Sequence, residues 1–280
     1  ALIESPVGRP VADQVKVWPD SVSVALLVTG VTADPAALGG LVTKGLSREP
    51  MDGNAAPRLF ETEAGMMNSV GLQNIGVRAF VAEKLPRLRQ IPTPVFANVF
   101  GYAVEDYVEV VRVLEDAPGL AGYELNVSCP NTKHGGIFFS NDPSLLSGVV
   151  SRVRALTKRP VIVKLSPNVA KIDPLAHAAE SAGADAISLV NTFISLAVDA
   201  RARRPRIGNN FGGLSGPAIK PIALRLVYEA AKAVKIPVVG LGGIVGVGEI
   251  ERHVDDIVDH DIGIGLGGEI VGHVSRTTSR

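Results

Sequence analysis

The sequence predicts an α/β fold, a (β/α)8 TIM barrel, and three observations carry the prediction. Short apolar, β-branched runs recur and are near-continuously hydrophobic, the pattern of parallel strands buried on both faces. Between them lie stretches with apolar residues three and four apart, which argues for parallel βαβ units. Polar residues gather at the C-terminal end of each strand, and in a barrel those ends converge on one mouth where active sites sit. The length of 280 residues suits a single domain spanning 1–280, since such barrels use about 250 residues. No linker-like or low-complexity stretch divides the chain.

The elements follow in order. LGGLVTKG (Leu38–Gly45) is an apolar run ending at Lys44. PVFANVFG (Pro94–Gly101) carries Asn98. VEDYVEVVRVLEDAPG has helical periodicity and stops at Pro118-Gly119. GYELNVSCPN (Gly122–Asn131) turns polar at Asn126, Cys129 and Asn131. DPSLLSGVVSRVRALTKRP opens with Asp142 as an N-cap and Pro143 at the first helical position. PVIVKLSPN (Pro160–Asn168) ends in Lys164. DPLAHAAESAGAD is a helix stopped by Gly183. DAISLVNT (Asp185–Thr192) ends in Asn191. PIALRLVYEAAKAVKIP leads from Pro221 into PVVGLGGI (Pro237–Ile244), which ends at Gly242.

Lysine plus arginine and aspartate plus glutamate balance at 28 each. No global charge draws the protein to nucleic acid or an anionic membrane. The single cysteine excludes an internal disulfide framework. The apolar run Val22–Val28 falls far short of the roughly 20 residues that span a bilayer. No signal peptide is read, and the expected location is cytoplasmic.

Lys44 and Lys164 each end an apolar strand. They either snorkel to the rim or face an anionic ligand or the electron-rich end of a flavin. Asn68, Asn126, Asn131 and Asn191 supply donors and acceptors without charge, which suits a ligand with alternating N–H and C=O groups such as a pyrimidine ring. Each alone is more often a turn or cap residue. Asn68 lies in MMNSVGLQNIG, read as a loop in which Gly71 lets the backbone approach a ligand. FGGLSG (Phe211–Gly216) and GLGGI (Gly240–Ile244) read as glycine loops exposing N–H groups to a phosphate. GIGLGG (Gly263–Gly268) spells G-x-G-x-x-G, but lacks the acidic residue of a dinucleotide unit about 20 positions on. His253 and His260, among aspartates, read as a solvated helix face, and no metal site is expected.

Cys129 sits three residues beyond Asn126, where the chain has turned polar, rather than inside the apolar run. That position suits a general base towards a C–H proton or a nucleophile. His134 is its nearest histidine in sequence, so a cysteine–histidine hydrolase is the competing chemistry.

TKGLS, NSVGLQN, ANVFG, ELNVSCPN, VIVKLSPN, SLVNT, GGLSGPAIKP and GLGGI, in this order, resemble a class 1 dihydroorotate dehydrogenase, most closely the NAD-linked B-type catalytic subunit. The likeness covers about Leu38 to Ile244. It implies FMN at the barrel mouth and oxidation of dihydroorotate to orotate in pyrimidine biosynthesis, with the C6 hydride passing to flavin and the C5 proton to Cys129. It matches Lys44, Asn68, Ser69, Val70, Gly71, Leu72, Asn126, Asn131, Asn191 and Thr192 to residues that hold the substrate. Lys44, Gly45, Asn98, Asn126, Lys164 and Val190 match flavin contacts, and Gly216, Gly242, Gly243 and Gly265 match glycines around its phosphate. It implies a homodimer, joined by a separate electron-transfer subunit carrying FAD and an Fe–S cluster into a heterotetramer that reduces NAD. The alternatives are a fumarate-linked A-type enzyme without that subunit, and a non-catalytic barrel that has lost FMN. The stretches of about 1–37 and 245–280 depart from the family pattern.

Overall fold

The computed structural model describes residues 40–91, 93–128 and 139–243, together with the backbone of Ala25–Thr29, Ile262–Ile264 and Ile270–His273. In chain order come β1 (Ala25–Thr29), β2 (Gly40–Val42), β3 (Leu59–Thr62) and β4 (Gly65–Asn68). A helical stretch follows, α1 (Val77–Ala79) passing through a π-helical turn (Phe80–Lys84) into α2 (Leu85–Leu88). Strand–helix units then alternate as β5 (Val95–Val99), α3 (Val104–Glu115), β6 (Gly122–Asn126), α4 (Pro143–Arg154), β7 (Val161–Lys164), α5 (Asp173–Ser181) and β8 (Ala186–Leu189). After β9 (Phe193–Leu196), β10 (Val198–Asp199), β11 (Arg204–Pro205) and β12 (Phe211–Ser215), a 3-10 turn (Pro217–Ile219) enters α6 (Lys220–Ala233). The last strands are β13 (Val238–Gly240), β14 (Ile262–Ile264) and β15 (Ile270–His273).

The predicted α/β barrel is present. Strands β2, β5, β6, β7, β8, β13 and β14 pair in that order, all parallel. β15 and β1 complete the closed barrel. Closure differs from eight uniform parallel strands: nine take part, and β14–β15 and β1–β2 pair antiparallel. Only five residues separate β14 from β15, and a parallel neighbour needs a crossover of about a dozen.

The helix ends follow the expected chemistry. Asp142 caps α4, its Oδ1 accepting from the amides of Ser144 and Leu145 at 2.8 and 3.2 Å. Gly183 ends the α5 segment with φ +97°, a left-handed conformation that favours glycine. Side chains alternate along the wall. Tyr123, Leu125, Val161, Val163, Ile187 and Leu189 are fully buried in the core shared with α3 to α6. The other parity faces the barrel interior, and there the sequence turns polar.

A network at the N-terminal ends of the strands ties α3 to β6 and β7. The Tyr123 and Thr157 hydroxyls each donate to Glu115 Oε1 at 2.6 Å, and Arg159 Nε lies 3.6 Å from the same oxygen. Burial alone would raise the Glu115 pKa, but the two hydroxyls and the guanidinium charges of Arg159 and Arg154 outweigh it and hold the carboxyl below its ordinary value. A carboxyl lowered on folding adds stability above its unfolded pKa, about 4.3, and that stability is lost as pH falls through the folded value. Glu115→Gln is therefore expected to cost about 1–3 kcal/mol at neutral pH. The deficit against the parent, read from urea midpoints, should shrink as pH drops below about 4. An equal deficit at every pH would show that the charge of Glu115 contributes nothing.

The glycine run at Phe211–Gly216 and the MMNSVGLQNIG segment differ from the loops expected of them. Gly65–Asn68 and Phe211–Ser215 are strands, and with β3 and β9 they form a four-stranded antiparallel sheet in the order β3-β4-β12-β9. β10 and β11 form a separate two-stranded pair. Glycine is used here for close approach between strands. A Cβ on Gly212 would lie 2.8 Å from the Asn68 carbonyl oxygen, and one on Gly213 would lie 1.9 Å from Thr192 Oγ1.

Candidate active site at the barrel mouth

The interior parity of four neighbouring strands carries the site. Asn98 of β5 stands opposite Glu124 of β6, Asn126 opposite Lys164 of β7, and Lys164 opposite Ser188 of β8. Glu124 and Asn126 are two apart and so share a face. Asn98 Nδ2 donates to Glu124 Oε2 at 2.5 Å, and Ser188 Oγ donates to Glu124 Oε1 at 2.7 Å. Burying these groups is tolerable because they satisfy one another. Lys44, two residues past β2, and Lys164, ending β7, are both half-buried and both make interactions.

The structure joins three of the predicted amides, Asn68, Asn126 and Asn191, in one chain of contacts. Asn191 Nδ2 reaches Asn126 Oδ1 at 3.5 Å, and Asn191 Oδ1 accepts from the Thr192 amide at 2.9 Å. The Thr192 side chain lies against Gly213, whose carbonyl accepts from Asn68 Nδ2 at 3.5 Å. Thus Asn68 and Thr192, far apart in sequence, meet through one glycine. Ser69, Val70, Gly71 and Leu72 leave β4 in a sharply turned loop, with φ +78° at Gly71 and +57° at Leu72. Asn54 Nδ2 holds the Ser69 carbonyl at 2.8 Å. Asn74 pins the far end of the loop, donating to Leu72 O at 2.9 Å and to Ser47 Oγ at 2.8 Å. Ser69 Oγ is buried and makes no hydrogen bond among the described residues.

Val190, Gly216, Gly242 and Gly243 converge at the entry to α6. Val190 N donates to Leu241 O at 3.2 Å, a Cβ on Gly242 would lie 3.5 Å from Val190 Cγ2, and one on Gly243 would lie 2.6 Å from Lys220 N. Gly216, Gly242 and Gly243 have φ of +96°, +99° and +79°. Glycine is the residue that tolerates both the angle and the contact. Gly45 belongs to the same mouth, since a Cβ there would lie 2.9 Å from Asn98 Oδ1.

Several contributors escaped the sequence reading. Glu124 and Ser188 hide inside apolar runs, where only their period-two spacing from Asn126 and from Val190 marks them as interior. Asn168 clamps the segment after β8, donating to Thr192 O and accepting from Ile194 N, both at 3.0 Å. Ser128 Oγ donates to Lys164 O at 3.1 Å. Cys129, Asn131 and Gly265, with His134, His253 and His260, lie outside the described residues. Among the described residues no three His, Cys, Asp or Glu side chains group to hold a metal ion, and no helix is long and apolar enough to cross a membrane.

Fold and side-chain geometry together define an α/β barrel with a linked cluster of polar side chains at the C-terminal ends of its strands. The family model for dihydroorotate dehydrogenase matches residues 30–251. A putative dihydroorotate dehydrogenase A (fumarate) of Solibacter usitatus is 74% identical over 211 residues, 75% of this chain and 69% of that protein. The catalytic subunit of dihydroorotate dehydrogenase B (NAD(+)) of Geotalea uraniireducens is 53% identical over the same shares, and that of Geobacter metallireducens is 53% identical over 74% and 68%. A solved phosphonopyruvate hydrolase overlaps at a TM-score of 0.39 with 16% identity, covering 67% of this chain and 60% of that one, too distant to bear on function. The chain belongs to the dihydroorotate dehydrogenase family.

Proposed function

We propose that the protein oxidises dihydroorotate to orotate with FMN at the barrel mouth, a step of pyrimidine biosynthesis. The observation that carries this reading is the linked set Asn68, Asn126, Asn191 and Thr192 beside a buried Ser69 hydroxyl that has no partner among the described residues. An uncharged array of donors and acceptors matches the edge of a pyrimidine.

The residues present fit FMN. Gly216, Gly242 and Gly243 form a cradle at the start of α6 that side chains would fill, and backbone N–H groups at a helix start favour phosphate. Lys44, Gly45, Asn98, Asn126, Lys164 and Val190 would hold the ring system. FMN supplies a two-electron acceptor for the C6 hydride of the substrate. Lys44 and Lys164 place positive charge where negative charge develops. Asn68, Ser69, Val70, Gly71, Leu72, Asn131, Asn191 and Thr192 orient the ring and its carboxylate. Cys129, as thiolate, takes the C5 proton and becomes the thiol. Loss of one hydride and one proton leaves the C5–C6 double bond of orotate.

Two electron acceptors are argued from different observations. The motif order and the B-type relatives support a separate subunit with FAD and an Fe–S cluster passing electrons to NAD, in a cytoplasmic heterotetramer. The relative at 74% identity supports fumarate without that subunit. Either fits a homodimer. The face of the antiparallel sheet exposing Leu59, Met66, Ile194, Leu196 and Phe211 is the surface we assign to it. A concentration-independent monomer in sedimentation would refute that assignment.

Anaerobic dihydroorotate should bleach the oxidised flavin band of FMN-loaded protein. Fumarate then restores the band directly in an A-type enzyme and does not in a B-type one. A bound flavin that dihydroorotate leaves oxidised would overturn the substrate. Failure to bind FMN would revive the non-catalytic barrel, against which Lys44, Lys164 and the amide set now argue.

A further inference from the structure

We infer that Glu124 is a positioning residue that fixes the side-chain amide of Asn98 with its oxygen, not its nitrogen, toward the mouth. The inference rests on the FMN reading above, in which Asn98 is a cofactor contact. Glu124 is 4% exposed, Asn98 6% and Ser188 1%. A carboxylate only accepts, and each of its oxygens here receives one donor, Asn98 Nδ2 at 2.5 Å and Ser188 Oγ at 2.7 Å. An amide held to a carboxylate through Nδ2 must present Oδ1 at its other end. That oxygen faces Gly45, where an added Cβ would come within 2.9 Å, and it accepts no hydrogen bond among the described residues. The backbone of Asn98 is held as well, its N–H donating to Thr43 Oγ1 at 3.2 Å. Only the amide's rotation by half a turn is left to be decided, and Glu124 decides it.

Specificity follows. The group opposite Asn98 must be a donor, such as the imide N–H of a flavin ring. A flipped amide would set NH2 against N–H and leave both unpaired in a buried site, which costs more than the loss of one contact. Glu124 touches neither the ring nor the substrate in this arrangement, so it acts through Asn98.

The test is FMN affinity of the apoprotein, read by quenching of flavin fluorescence, with a thermal melt of each variant as a check on folding. Glu124→Gln removes the charge but keeps an acceptor for Asn98, its own NH2 turning to Ser188 Oγ, which accepts by rotating. Glu124→Asp keeps the charge but withdraws the acceptor by one methylene. The expected result is affinity within about threefold of the parent for Glu124→Gln and a loss of about tenfold or more for Glu124→Asp, the size of one misplaced hydrogen bond. In the Asn98→Ala background Glu124→Asp should cost nothing further, because the group it acts through is gone. Additive losses, or a weak Gln variant beside an intact Asp variant, would overturn the inference and leave the flavin reading standing. An unsubstituted protein that binds no FMN would instead overturn both.

Discussion

The Cys129→Ala protein is expected to bind FMN normally and to be reduced by dihydroorotate about 10²–10⁴-fold more slowly, the usual contribution of a positioned general base. The residue lies three positions past the end of β6, which also carries Asn126, the amide we propose to hold the ligand. The substitution removes a proton acceptor and leaves the lysines and amides in place. Flavin affinity and substrate affinity should therefore move little while the reductive rate collapses. Stopped-flow absorbance of the flavin band separates the two quantities. Reduction at the parent rate would assign the proton to another group and remove Cys129 from the chemistry. Cys129→Ser gives a second point, because a hydroxyl of much higher pKa should act only at raised pH, if at all.

Gly213→Ala is expected to damage the site without touching a polar group. A Cβ there would lie 1.9 Å from Thr192 Oγ1 and 2.6 Å from Thr192 Cβ. Thr192 is β-branched and stiff at χ1, so the overlap is not relieved by rotating a side-chain tip. Either Thr192 or β12 must move, and β12 holds Asn68 through Gly213 O. The expected cost is about 1–3 kcal/mol of stability, typical of overpacking. KM for dihydroorotate should rise about tenfold or more, since ångström displacements of positioning groups are felt strongly. Gly148→Ala in α4 is the control, because nothing lies within 4 Å of its added Cβ. There the change should gain roughly 0.5–1 kcal/mol from helix propensity. Unchanged KM and stability in Gly213→Ala would mean that Thr192 does not fix the substrate edge.

Much of the barrel was legible because local chemistry and global fold agree. The runs around Asn98, Asn126, Lys164 and Asn191 are short, apolar and bounded by caps or glycines, and each became a parallel strand ending at the mouth. Asp142 and Gly183 mark helix ends by interactions within their own turn, which a linear reading can see. The small antiparallel sheet was not legible. Its β4 and β12 pair across a separation of 145 residues, Asn68 to Gly213, and both are rich in glycine or methionine, residues that signal loops locally. Pairing partners so distant leave no trace in either segment alone.

By itself the sequence determined the α/β class, the order of strand and helix, and the residue types at each strand end. Those depend on hydrophobic period and on turn chemistry, both local properties. The tertiary structure decided what the polar residues do to one another. It set Glu124 between Asn98 and Ser188, brought Thr192 onto Gly213 beside Asn68, and left Ser69 Oγ buried with no partner among the described residues. It also decided closure, where a connection of five residues forces β15 to run antiparallel to β14. The physical reason is the same in each case: strand register and loop length fix which side chains meet, and neither is written in any one segment.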